Sequence, residues 1–112
     1  MYTSSASLGA GTTAYSTSNE ITNSSGTAYT AGGATLTSVT PTTDSTTAVC
    51  DFADVSYTSA SFTANGALIY NDTQSDKAVA VIAFGSDKTV TSGTFTIQFP
   101  TADATNAIIR LA

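Results

Sequence analysis

The sequence predicts an all-β protein, a small antiparallel β-sandwich of jelly-roll-like or immunoglobulin-like type, and three observations carry that reading. Ser and Thr make up about a third of the 112 residues, and Thr, being β-branched, favours the pleated, half-buried surface of a strand. From residue 34 onward, short apolar runs with period-two alternation recur between clusters of Gly, Pro, Asn, Asp and Ser, the punctuation of strands and turns. Long runs at helical spacing are missing.

The chain is long enough for one domain with one core. Its hydrophobic fraction of 41% permits that core, while its charged fraction is 10%, against about 25% in an average domain. Surface polarity therefore rests on hydroxyls. Low charge also separates the sequence from the disordered class, which combines low hydrophobicity with high net charge.

About seven short strands are expected. The first covers residues 34–40 and is closed by Pro41 and a turn at Thr42-Thr43-Asp44-Ser45. The second covers 46–55, with Ala48, Cys50 and Phe52 on one face. A weak third, 57–62, ends at the turn signal Asn65-Gly66. The fourth is 67–71, followed by a polar loop from Asn71 to Asp76. Residues 78–84 are apolar at every position, which fits a central strand buried on both faces or a short helix. The length, the Val and Ile content and the closing Gly85 favour the strand. Residues 93–99 alternate cleanly, with Phe95, Ile97 and Phe99 on one face and Thr94, Thr96 and Gln98 on the other. A last strand, 107–111, closes the chain. Phe52, Phe84, Phe95 and Phe99 fall at strand period and are expected in the core.

Residues 1–33 differ in texture. Tyr2, Leu8, Tyr15, Ile21 and Tyr29 are their only large apolar groups, too few for a core. They are expected to form an extended, loop-rich arm, and residues 34–112 the β-sandwich body. Because Tyr joins an apolar ring to a polar tip and is favoured at interfaces, Tyr2, Tyr15 and Tyr29 are the candidate interface residues. Removing residues 2–20 is expected to leave the body folded.

The chemistry-bearing residues exclude more than they suggest. There is no His, which removes the Ser–His and Cys–His pairs and the commonest general base. One Cys, Cys50, permits no intrachain disulfide and cannot complete a tetrahedral zinc set. It reads as a small buried hydrophobe. Asp51 and Asp54 are the sharpest candidates for an acid/base pair, against exposed charges that guard a strand edge. Asn71, Asp72 and Asp76 offer oxygens for Ca²⁺, but the spacing of an EF-hand is missing, so a solvated turn is the better reading. Asn23-Ser24-Ser25 and Asn71-Asp72-Thr73 match the N-glycosylation pattern, which chance supplies readily in a Ser/Thr-rich chain. No catalytic residue, metal or cofactor is expected.

Net charge is −5, with Lys77, Lys88 and Arg110 the only basic residues. Phosphate backbones and anionic membranes both call for clustered Lys and Arg, so neither nucleic acid nor membrane is an expected partner. No apolar run approaches the roughly 20 residues of a spanning helix. Met1-Tyr2-Thr3-Ser4-Ser5 lacks the basic and apolar regions of a secretory signal, and synthesis in a cytoplasm is expected.

One further feature is the order of several segments. Gly26-Thr27-Ala28-Tyr29-Thr30-Ala31-Gly32-Gly33-Ala34-Thr35-Leu36-Thr37-Ser38-Val39 is followed by Asp51-Phe52-Ala53-Asp54-Val55-Ser56-Tyr57-Thr58, then Ala67-Leu68-Ile69-Tyr70-Asn71-Asp72. After these come Ile82-Ala83-Phe84-Gly85-Ser86-Asp87-Lys88-Thr89-Val90 and Gly93-Thr94-Phe95-Thr96-Ile97. In order and spacing the set resembles a family of small virion proteins of tailed phages, met as structural or capsid-decoration proteins. The resemblance runs from about Tyr15 to the C-terminus. It implies a non-enzymatic decoration (cement) protein on the capsid surface, made in the host cytoplasm. Its implied partners are the phage major capsid protein and copies of itself, as a homotrimer. The rival readings are a tail or fibre subunit and a carbohydrate-binding β-sandwich module, the last disfavoured by the absence of Trp.

Overall fold

The structure, a computed structural model, describes residues 1–22 and 29–112. The chain is all-β: among the described residues strand accounts for 54% and helix for 3%, in two antiparallel sheets. Among the described residues five strands take the place of the seven expected: β1 (Ser38–Asp44), β2 (Thr47–Phe52), β3 (Val55–Asn71), β4 (Lys77–Ile97) and β5 (Ile109–Leu111). One sheet has the order β1-β2-β5, and the other is the β3–β4 hairpin.

Two compact units divide the chain. Unit 1 comprises Met1–Gly33 and Thr58–Thr94, and unit 2 comprises Ala34–Tyr57 and Phe95–Ala112. This division differs from a boundary at residue 33, because the N-terminal residues cluster with the greater part of the hairpin.

In unit 2, β1 runs through Pro41 instead of stopping before it. β1 is an edge strand, and Pro41 falls where the pairing with β2 shifts register between Val39 and Thr42. An edge or a bulge is where a strand tolerates a residue without an N–H. The turn then tightens to two residues entered through Ser45, whose φ is 55°. β2 lies between two partners, and its most buried positions are Thr47 and Val49, not the Ala48/Cys50/Phe52 face. Val49 pairs with Thr42 on one side and Arg110 on the other and is 1% exposed. Cys50 is only half-buried, opposite Ile109. The Phe52 and Phe99 rings pack 5.6 Å apart, so both faces of β2 carry side-chain cover.

Carboxylates fasten the loops of this unit. Asp44 accepts the Ala104 N–H (2.7 Å) and Asp54 the Phe99 N–H (2.9 Å). Asp103 accepts the Thr105 and Asn106 N–H groups and the Asn106 side-chain amide. These bonds, led by those from Asn106, hold its carboxyl below the usual range. Arg110 donates to the Ala104 and Thr105 carbonyls of the same turn.

In unit 1, the hairpin turns where the polar loop was expected. The Asn71 side chain accepts from the Thr73 N–H at the head of a single 3₁₀ turn, Asp72–Gln74, and Ser75 and Asp76 take positive φ. Asn65-Gly66, read from sequence as a turn, lies inside β3. A Cβ on Gly66 would stand 2.8 Å from the Ile82 carbonyl oxygen, so the glycine permits a close backbone approach. Gly85, expected to end a strand, sits within β4 at φ 76°. The run at 78–84 is strand, but Val79 is 50% exposed and Ala83 is exposed, so it is not covered on both faces. The alternation at 93–99 is observed as read, with Phe95, Ile97 and Phe99 half-buried and Thr94, Thr96 and Gln98 exposed. Phe52 and Phe84 are likewise half-buried, and none of these four rings reaches the fully buried class.

Unit 1 buries Met1, Tyr2, Ile21, Tyr29, Ala60, Ala64, Ala67 and Ile69. Small residues dominate the β3 contribution, and the large side chains come chiefly from residues 1–33. No helix among the described residues is long and apolar enough to cross a membrane.

Candidate functional site

The most unusual group in the molecule is Glu20, the single glutamate of the sequence. It is 7% exposed. A buried carboxylate is costly unless hydrogen bonds replace its water. Here Tyr15 Oη donates to Oε2 (2.6 Å), while Tyr29 Oη and the Gly32 N–H donate to Oε1 (2.7 Å each). The Met1 amino group donates in turn to Tyr29 Oη (2.5 Å). The Tyr15 ring stacks on Tyr70, centroids 4.7 Å apart and planes 17° apart, and Tyr70 Oη donates to the Gly32 carbonyl (2.9 Å).

The electrostatics follow from this packing. Tyr15 is pushed well above the ordinary phenol range, chiefly by its bond to Glu20 and secondarily by burial. Burial raises Tyr2 and Tyr70, with Asp76, Glu20 and Asp72 adding to the effect at Tyr70. Burial lowers the Met1 amine to about 6 against the pull of Glu20. The phenols thus hold their protons and serve as donors.

The three tyrosines singled out from sequence are placed inside unit 1. Tyr29 is fully buried, its ring edge-on to Phe62 at 5.7 Å. Tyr2 is 2% exposed; its phenol donates to the Ser16 carbonyl and its backbone pairs with Gly66. Tyr15 is half-buried against Tyr70. The structure brings Tyr15 and Tyr29 together on one carboxylate, and their rings and hydroxyls pack within their own chain. Glu20 itself was not anticipated. The available signal was a lone Glu beside Ile21, between two tyrosines, in a stretch otherwise without charge.

Asp51 accepts the Phe52 N–H (2.8 Å) and Asp54 that of Phe99 (2.9 Å), so each carboxylate fastens backbone in unit 2. At the hairpin tip Asn71 Oδ1 accepts from both the N–H and the hydroxyl of Thr73. Among the described residues no three His, Cys, Asp or Glu side chains gather as a metal site. Asn23-Ser24-Ser25 lies outside the described residues. An open depression of about 530 Å³ in unit 1 has a mixed wall, with Ser5, Thr12 and Asn19 beside Ala6, Leu8 and Ala14, and no charged side chain lines it.

Chemically the Glu20 cluster is closed. Every buried side-chain nitrogen or oxygen among the described residues has a hydrogen-bond partner. The cluster orders residues 1–22 and 29–33. Comparison with family models, with curated proteins and with solved structures returned no match to this chain.

Proposed function

We propose that the chain is a non-enzymatic structural protein of a tailed-phage virion, a decoration (cement) protein that binds the major capsid protein at the capsid surface. In this reading it acts as a homotrimer of small β-sandwiches made in the host cytoplasm. The support is the ordered set of segments that resembles this family, together with one structural observation. Two exposed strand stretches are rich in hydroxyls and nearly free of charge. All seven residues of β1 are exposed and Asp44 alone is charged; β4 from Thr89 to Ile97 has no charged residue. Across the hairpin, hydroxyls pair with one another, Thr63 with Thr89 and Ser56 with Thr96, at 2.8 Å each.

A surface of this kind does little long-range steering, which depends on charge. It suits many short-range neutral contacts, each weak, repeated over a fixed lattice where linkage multiplies them. Imaging of purified particles of the source phage, at a resolution that traces the chain, tests the proposal. The expected result is this fold on the outer capsid face at capsomer junctions. Density confined to tail or fibre, or absence from the particle, overturns it.

A further inference from the structure

Among the described residues, the hydrogen bonds to Glu20 come from the N-terminal stretch, from Tyr15, Tyr29 and Gly32. That stretch meets the hairpin through ring contacts, Tyr15 on Tyr70 and Tyr29 on Phe62, and through backbone bonds at both edges. On β3, the Tyr2 N–H donates to the Gly66 carbonyl (2.9 Å) and the Asn65 N–H to the Tyr2 carbonyl (2.8 Å). On β4 and the turn before it, the Ala78 N–H donates to the Thr13 carbonyl and the Tyr15 N–H to the Asp76 carbonyl (2.9 Å each). A two-stranded sheet has two open edges, and these bridges occupy part of both. Tyr15 belongs to both systems, its N–H on the turn and its phenol on Glu20.

We infer that Glu20 is a latch that decides whether residues 1–22 cover the edges of their own hairpin, and that opening it lets a second copy of this chain supply the same residues in exchange. The bridges are main-chain bonds with little side-chain selectivity, so a segment of matching geometry serves equally well. The identical segment of another protomer is that match, the relation that underlies domain swapping. With the latch shut, the segment is held by bonds to a buried carboxylate, which are stronger than neutral ones. With it open, the burial of Met1, Tyr2 and Ile21 and the Tyr15–Tyr70 stack are left to offset the segment's ordering entropy, and the N–H and C=O rows freed on opening become templates for an added strand. This inference does not depend on the virion reading.

The test is Glu20→Gln, which keeps the shape but removes the charge and replaces one acceptor with a donor. Hydrogen exchange at the Tyr2, Tyr15, Asn65 and Ala78 amides is expected to quicken by roughly tenfold or more, as for a local opening, with the amides of β2 unchanged. Sedimentation velocity is expected to show a concentration-dependent dimer absent from the unsubstituted chain. Wild-type exchange rates in the variant, or equal acceleration in β2, would overturn the latch. Open edges in a species that stays monomeric at its highest soluble concentration would overturn the exchange between copies. Tyr29→Phe, which removes one donor and keeps the ring, should quicken the same amides by a smaller factor. If Glu20→Gln does not fold, unchanged exchange in Tyr29→Phe overturns the proposal.

Discussion

The two units order the same kind of hydroxyl-rich chain by different means. Unit 2 uses a central strand, β2, flanked on both sides, with Val49 sealed between neighbours and aspartates fastening the loops from the surface. Unit 1 has the longer strands but only two of them, so its hairpin has no third strand to cover it. It fills the gap with a segment poor in apolar groups, organised around one buried carboxylate and bridged to both hairpin edges. In unit 2 the buried apolar groups are few, Val49, Tyr57 and Ala107, and carboxylates finish the loops. In unit 1 a carboxylate sits at the centre and the apolar groups, many of them alanines, surround it.

That contrast can be broken most sharply at Val49. Val49→Asp places an unpaired charge at a position 1% exposed and should cost on the order of 4 kcal/mol. Protection of β2 amides in hydrogen exchange should collapse. If it persists, unit 2 is not centred on this strand. The corresponding probe of unit 1 is Gly66→Ala. Its Cβ would meet the Ile82 carbonyl oxygen at 2.8 Å, a backbone atom that moves only with the strand, at a cost of about 1–3 kcal/mol. Denaturant melts should show the loss, and the Tyr2 bridge should weaken. A neutral result would mean that the hairpin is looser at this level than the geometry requires.

Alkaline pH should separate the units more gently. Tyr2, Tyr15 and Tyr70 in unit 1 are all raised from the ordinary phenol value of 10.0, against Tyr57 in unit 2, raised mainly by burial. A group that keeps its proton longer in the folded than in the unfolded state contributes its full stability below the unfolded pKa and loses it as pH climbs beyond. Unit 1, with three such phenols, should therefore lose exchange protection before unit 2 does as pH climbs above the ordinary phenol value of 10.0. Simultaneous loss would show that the Glu20 cluster is not what separates them. The smallest effect is expected at Ser92, which holds φ at 46° within β4 while its N–H bonds to Ser61 Oγ. Ser92→Gly relieves a left-handed backbone and keeps that bond, and should stabilise unit 1 by roughly 0.5 kcal/mol, read as a small rise in Tm.

The fold class was legible because strand formation is written locally. Period-two alternation at Phe95, Ile97 and Phe99 and the polar loop from Asn71 to Asp76 were both read correctly, since each depends on neighbours within a few residues. Strand ends were read less well. Pro41, Asn65-Gly66 and Gly85 are local stop signals, and each lies inside a strand, because an edge position, a close crossing of Ile82 and a left-handed residue within β4 accommodate them. The most buried face of β2 was misread for a related reason: alternation gives the period, while the depth of each face depends on what packs there.

Composition and order alone determined an all-β chain with hydroxyl surfaces, and they excluded His-based chemistry. Tertiary structure decided which residues become interior. Tyr2, Tyr15 and Tyr29 look like surface tyrosines in a polar stretch, and Glu20 looks like an ordinary solvated charge. They form a buried cluster because chain folding brings residues 15, 20, 29 and 32 around one carboxylate and lays residues 2 and 14 on opposite hairpin edges. The burial of a charge depends on whether enough donors converge on it, and that convergence is a property of the folded chain, not of any stretch of its sequence.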